Sequence, residues 1–133
     1  MDMTAALTVS AVAMATLIIV NRVKLFYATA KVKALIANGG ELVIVDVRTK
    51  AEHEEKRIAG SINVPLDQIK SNIRQFVRDE TVPVAVYCLS GGRASSATKE
   101  LKSMGFKTVV NLGGVNSWKG AFESGKVKKS KKA

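Results

Sequence analysis

Residues 84–104 read Val-Ala-Val-Tyr-Cys-Leu-Ser-Gly-Gly-Arg-Ala-Ser-Ser-Ala-Thr-Lys-Glu-Leu-Lys-Ser-Met. The first five residues predict a buried β-strand, Val84–Cys88. Residues 94–104 predict a helix that ends at Gly105 and whose apolar face is formed by Ala94, Ala97, Leu101 and Met104. A strand that leads through a glycine loop into a helix is one unit of an α/β sheet.

The rest of the chain repeats this alternation on both sides. Further strands are predicted at Glu41–Val47, Ser61–Pro65 and Thr108–Leu112. A helix is predicted over residues 67–79, with Asp67 as its N-cap and an apolar face formed by Ile69, Ile73, Phe76 and Val77. Shorter helices are predicted at Lys31–Asn38 and Lys50–Arg57. The order predicts an α/β fold, a parallel sheet flanked by helices on both faces.

The charge of the chain is concentrated at its two ends. The 133 residues carry a formal net charge of +10, but residues 34–125 hold 12 Lys and Arg against 10 Asp and Glu. A nearly neutral central domain with no basic face is a poor binder of duplex nucleic acid, so we expect no nucleic-acid partner. The length is that of a single ordinary domain.

The N-terminal segment is uncharged from Met3 to Val20. A cleaved secretory signal and a buried helix are alternatives. A secretory signal normally begins with positively charged residues, and a buried helix of a soluble domain normally has a polar face; this segment has neither. We predict one transmembrane helix, a membrane anchor over residues 3–21, with the following domain in the cytoplasm because cations gather only after it. The basic tail, residues 123–133, either binds anionic lipid or is a solvated tail.

Cys88 is the only cysteine, which excludes an intrachain disulfide. With the lone His53 it supplies too few soft ligands for a zinc site, so we predict no metal. Cys88 is either a buried small side chain at a strand end or a nucleophile. Gly91 and Gly92, the cation of Arg93 and the start of a helix favour the thiolate, and therefore the nucleophile.

These residues resemble the rhodanese family of sulfurtransferases over about residues 30–122. The resemblance is carried by Val45-Asp46-Val47-Arg48 with Glu52, Ile58–Leu66, Val86–Ser95, Leu101, Gly105-Phe106, Leu112-Gly113-Gly114 and Trp118. It implies a rhodanese-like parallel sheet and a persulfide on Cys88, formed from thiosulfate or a persulfide donor. The loop amides of Leu89, Ser90, Gly91, Gly92 and Arg93 would bind that persulfide, as in an oxyanion hole.

The resemblance also implies that Asp46 and Arg48 support the loop from beneath, although Arg48 is equally explained as a polar strand end. No cofactor is implied. Four residues separate Cys88 from Arg93, whereas cysteine phosphatases have five in the corresponding loop. The loop length therefore favours a sulfurtransferase over a phosphatase. The chain has no second cysteine, so a thiol, cyanide or a protein acceptor must take the sulfur.

The chain departs from the family pattern just before the Ile-x-Gly segment. Many relatives have Gly-His before the Ile-x-Gly segment, where this chain has Lys56-Arg57, and we expect His53 on a surface helix with no function. Trp118 is expected in the core. The alternative function is a membrane-tethered binding or sulfur-relay module without independent turnover, with a possible membrane-protein partner.

Overall fold

The computed structural model describes residues 9–20, 30, 32, 34, 35 and 40–127. Its principal elements, in chain order, are β1 (Val43–Asp46), α1 (Lys50–Glu55), β2 (Arg57–Ile58), β3 (Ile62–Asn63), α2 (Ile69–Asn72), β4 (Val84–Cys88), α3 (Gly92–Ser103), β5 (Val109–Gly114) and β6 (Phe122–Glu123). Short 3-10 helices precede and follow α2, and a third follows β5.

The main sheet has four strands in the order β3-β1-β4-β5, and every neighbouring pair is parallel. The two central strands consist almost wholly of buried apolar residues, as expected of strands covered on both faces. The carboxyl ends of all four strands meet at one edge, where open α/β sheets bind their ligands. The predicted parallel α/β sheet is therefore confirmed.

Two apolar clusters cover the two faces of the sheet. The larger one packs α2 and α3 against the sheet and includes Val86, Ile69, Ala97 and Leu101. The smaller one lies on the opposite face and consists of Val32, Ile44, Ile58, Ala85, Tyr87, Leu112 and Val115, with Trp118 packed against it. Alternate residues of β4 point to opposite clusters, so one strand anchors both layers.

The single helix predicted over residues 67–79 is wrong. The structure has a four-residue α2 between two 3-10 helices, and Asp67 lies in the first of these without serving as the N-cap of α2. Ile69 and Ile73 are fully buried, but Phe76 is 52% exposed. Phe76 was expected on the apolar face, but the packing selects the four-residue spacing of Ile69, Ile73 and Val77.

A two-stranded antiparallel sheet was not predicted. β2 pairs with β6, and Arg57 donates hydrogen bonds to the carbonyl oxygens of His53 and Gly125. The Gly125 amide in turn donates to the carbonyl of Glu54, at 2.7 Å. The chain after residue 122 is therefore attached to α1 and β2 as far as Gly125, whereas residues 128–133 of the basic tail lie outside the described residues.

Residues 9–20 form a helical segment with exposed side chains. Across the described part of the chain, no helix has both the length and the apolar character needed to cross a membrane. The structure therefore does not support the predicted transmembrane helix, although residues 3–8 and 21 of that prediction lie outside the described residues.

Candidate active site

Cys88 is the last residue of β4 and is 1% exposed. Its Sγ accepts a hydrogen bond from the backbone N–H of Gly91, at 2.9 Å. The two residues that follow the cysteine, Leu89 and Ser90, are exposed. The thiol is therefore held at the carboxyl edge of the sheet, with its sulfur bound by the loop that covers it.

Gly91 provides the turn that makes this contact possible. Its φ is +100°, in the left-handed region that side-chain-bearing residues rarely adopt, and it is the N-cap of α3. The helix begins at Gly92, two residues before the predicted start, so its unpaired N-terminal amides lie at the Cys88 loop. These amides and the positive end of the helix dipole favour negative charge at this position. The predicted glycine loop is present, with Gly91 as the strained residue and Gly92 in open space.

The neighbouring strand β5 approaches the loop closely through two glycines. A β-bulge shifts the register, so that Gly113 and Gly114 lie opposite Tyr87 and Cys88. A Cβ added to Gly114 would lie 2.3 Å from the carbonyl oxygen of Leu89. The absence of a side chain at Gly114 therefore lets the loop pack closely on the sheet.

Arg93 does not point freely into the site. Its guanidinium forms two hydrogen bonds with the Glu52 carboxylate on α1, Nη1 to Oε1 at 2.8 Å and Nη2 to Oε2 at 3.0 Å. Hydrogen bonding to Arg93 lowers the pKa of Glu52 to about 2, and the same contact raises the pKa of Arg93. A salt bridge of this kind was not predicted, because it joins residues 41 positions apart.

Asp46 and Arg48 form a buried network beside the loop. Arg48 Nη2 lies 2.7 Å from Asp46 Oδ2, and His53 Nδ1 lies 2.9 Å from the same oxygen. Burial alone would raise the pKa of Asp46, but the hydrogen bonds from His53 and Arg48 outweigh it and the pKa is lowered. Burial alone would lower the pKa of Arg48. The hydrogen bonds and the charge of Asp46 outweigh this effect, so the pKa of Arg48 is raised.

This network reaches the loop through Tyr87. The guanidinium carbon of Arg48 lies 5.5 Å from the centroid of the Tyr87 ring, and Tyr87 directly precedes Cys88. The hydroxyl of Tyr87 accepts from the Ile58 amide at 3.1 Å and lies 2.9 Å from Ser61 Oγ. Burial raises the pKa of that hydroxyl to about 12, so it stays protonated. Arg48, bound to Asp46, therefore contacts the end of β4 through the Tyr87 ring, and support of the loop by this pair stays a prediction.

The prediction that His53 lies on a surface helix is wrong. His53 is 1% exposed, and its ring is fixed by Asp46. Its burial has no signal in the local pattern, because α1 is a short helix with mostly charged residues. Within the described residues, no three His, Cys, Asp or Glu side chains are grouped so as to hold a metal ion.

Comparisons with known proteins agree with this geometry. The family model of the rhodanese-like domain matches residues 28–121, and the chain belongs to that family. The thiosulfate sulfurtransferase PspE of Escherichia coli is 35% identical over 71 residues, which cover 53% of this chain and 68% of PspE. The putative sulfur carrier protein YrkF of Bacillus subtilis is 30% identical over 92 residues, 68% of this chain and 49% of YrkF.

Solved structures show the same fold. A rhodanese from E. coli with bound anions superposes with a TM-score of 0.61 and 31% identity, over 63% of this chain and 99% of that one. A thiosulfate sulfurtransferase from Pseudomonas aeruginosa gives a TM-score of 0.68 and 27% identity, over 75% of this chain and 20% of that one. The rhodanese-like fold and the sulfurtransferase family expected from the sequence are confirmed.

Proposed function

We propose that this protein is a sulfurtransferase that carries a sulfane sulfur as a persulfide on Cys88. The observation that supports this most directly is the Gly91 N–H bound to Cys88 Sγ at 2.9 Å, at the start of α3. This donor and the N-terminal amides of the helix are fixed before any substrate arrives. They can stabilise negative charge on sulfur without reorganisation, which is the basis of oxyanion-hole catalysis.

The reaction has two displacement steps. The Cys88 thiolate attacks the outer sulfur of thiosulfate, the sulfur–sulfur bond of thiosulfate breaks, and sulfite leaves with the electron pair. An acceptor thiolate or cyanide then attacks the outer sulfur of the persulfide and regenerates the Cys88 thiolate. Because one residue carries the sulfur in both steps, the kinetics are ping-pong.

The donor and acceptor classes proposed here are thiosulfate or a persulfide, and a thiol, cyanide or a protein acceptor. Support for a protein acceptor comes from the exposed Leu89, 51% accessible beside a buried thiol, which offers an apolar contact next to the reacting atom. A relay module that passes sulfur to one protein partner is therefore the second candidate. It is also the role that the name of YrkF, a putative sulfur carrier, describes for that relative.

Steady-state kinetics test this proposal and separate the two candidates. An enzyme with independent turnover releases sulfite continuously from thiosulfate with cyanide as acceptor and gives parallel double-reciprocal plots. A relay module releases one equivalent of sulfite and then stops. Cys88→Ala should abolish both the continuous and the single-equivalent release of sulfite. Sulfite release that survives this substitution would contradict the proposal.

We also propose that residues 3–21 attach the protein to a membrane with the sulfurtransferase domain on the cytoplasmic side. Support comes from the uncharged sequence Met3–Val20 and from the exposed apolar side chains of residues 9–20. Attachment predicts that the full chain stays with membranes after an alkaline carbonate wash. A reporter fused after Ala133 should be active only in its cytoplasmic form, and the opposite pattern would refute the orientation.

A further inference from the structure

We propose that Glu52 selects the sulfur donor by neutralising Arg93. Arg93 is the only charged residue of the loop Cys88–Arg93, so its charge governs how strongly the site attracts anions. With Glu52 bound to it, the site favours donors that carry one negative charge, such as alkyl persulfides, over dianions such as thiosulfate. This inference rests on the proposed sulfur-transfer function.

The contact between the two side chains occupies both terminal nitrogens of the guanidinium. Arg93 Nη1 and Nη2 lie 2.8 and 3.0 Å from the two Glu52 oxygens, the bidentate geometry in which Arg–carboxylate pairs are strongest. The side chains are 36% and 29% exposed, so the pair lies at the rim of the site. With a pKa of about 2, Glu52 remains ionised at every pH near neutrality.

Glu52 is itself held in place by the first turn of α1. Thr49 and Glu52 form a capping box, in which the Glu52 amide donates to Thr49 Oγ1 at 3.2 Å. The Thr49 amide and hydroxyl in turn approach Glu52 Oε1 at 3.3 and 3.1 Å. The carboxylate therefore has a fixed orientation on α1, and it binds the Arg93 guanidinium through both terminal nitrogens.

The consequence is a site that attracts anions with amides rather than with a full charge. An incoming donor meets the Gly91 N–H and the amide end of α3, while the Arg93 charge is offset by Glu52. Coulomb energy grows in proportion to the charge of the donor, so a dianion gains twice as much from a free guanidinium as a monoanion does. Neutralising Arg93 therefore weakens the electrostatic attraction of thiosulfate more than that of a persulfide.

Glu52→Gln removes the charge and keeps the shape. Gln at this third helical position still satisfies a capping box, so α1 should remain folded. Glu55→Gln is the matched control, because Glu55 lies on the same helix and is exposed. In the double variant Glu52→Gln/Arg93→Met, any decrease in the KM for thiosulfate that acts through Arg93 should disappear.

Initial rates are measured for thiosulfate and for the persulfide of 2-mercaptoethanol at low, constant ionic strength. Because loss of the Glu52 charge leaves the Arg93 charge without an offset, it should lower the KM of Glu52→Gln for thiosulfate roughly five- to tenfold, and that for the singly charged persulfide about two- to threefold. The kcat values should stay within about twofold, because the amides at Cys88 are unchanged. Equal changes for the two donors, or none, would overturn the inference.

A second measurement does not depend on turnover. Sulfate, an unreactive dianion, should protect Cys88 from alkylation by iodoacetamide, at a several-fold lower concentration in Glu52→Gln than in the wild type or Glu55→Gln. Unchanged protection would refute the role of Glu52. If the wild type forms no persulfide with either donor, the proposed function fails, and the sulfate measurement still decides whether Glu52 controls the Arg93 charge.

Discussion

Gly114→Ala tests how closely β5 must approach the Cys88 loop. The added Cβ would lie 2.3 Å from the Leu89 carbonyl oxygen, 3.1 Å from its carbon and 3.4 Å from the Cα of Ser90. All three neighbours are backbone atoms, so no side chain can rotate away. The Leu89 carbonyl must move by about 1 Å to reach ordinary contact, and the loop moves with it.

The expected cost has two parts. Overpacking of this kind destabilises a protein by about 1–3 kcal/mol, which lowers the melting temperature by several degrees. A displacement of about 1 Å between catalytic groups lowers the rate about 100-fold. We expect Gly114→Ala to fold, to melt earlier and to lose about two orders of magnitude in kcat/KM for thiosulfate.

Gly60→Ala is the matched control. Gly60 has a positive φ, +78°, and a Cβ there meets nothing within 4 Å. Forcing alanine into a left-handed conformation costs about 1–2 kcal/mol, similar to the cost expected at Gly114. This variant should therefore lose stability and keep its activity. If Gly114→Ala keeps wild-type activity, or if both variants lose it equally, the reasoning about the loop is refuted.

Two further predictions concern the buried network and the core. Asp46→Asn leaves Arg48 buried without a carboxylate and should cost about 3–5 kcal/mol in urea unfolding. Because the pKa of Asp46 is lowered on folding, its contribution to stability is complete above the unfolded pKa of about 4 and is lost as the pH falls through the lower folded pKa. The variant lacks this contribution, so its stability should fall less steeply than that of the wild type below about pH 4. Ile73→Ala should cost about 2–5 kcal/mol, whereas Phe76→Ala, at an exposed position, should cost less than about 1 kcal/mol; equal losses would contradict the packing described.

The elements that follow from local pattern were predicted well. The run Val84–Cys88 has no polar residue before the cysteine, and it forms a strand with those bounds. The helix after it was predicted two residues too late, because Gly92 is a poor helix former that is nevertheless recruited into the first turn. The glycine loop between them was recognised because few other sequences can turn so tightly.

The features that were not predicted depend on contacts between separate elements of the fold. Pairing of β2 with β6 joins Arg57 to Glu123, and two-residue strands have no periodicity to detect. The burial of His53 on α1 depends on Asp46 of β1, which supplies the hydrogen bond that lets an imidazole be buried. The Glu52–Arg93 salt bridge is likewise a contact between separate helices. Such contacts follow from the tertiary fold and not from local sequence.

Mass spectrometry of the full-length protein after incubation with thiosulfate shows whether Cys88 carries the transferred sulfur. The wild type should gain one sulfur atom, located on Cys88 by fragmentation, and should lose it on addition of cyanide or a thiol. Cys88→Ser should gain none, because its hydroxyl cannot form the persulfide. A wild-type protein that gains no sulfur from thiosulfate or from an alkyl persulfide, or a Cys88→Ser variant that still gains one, would contradict the account.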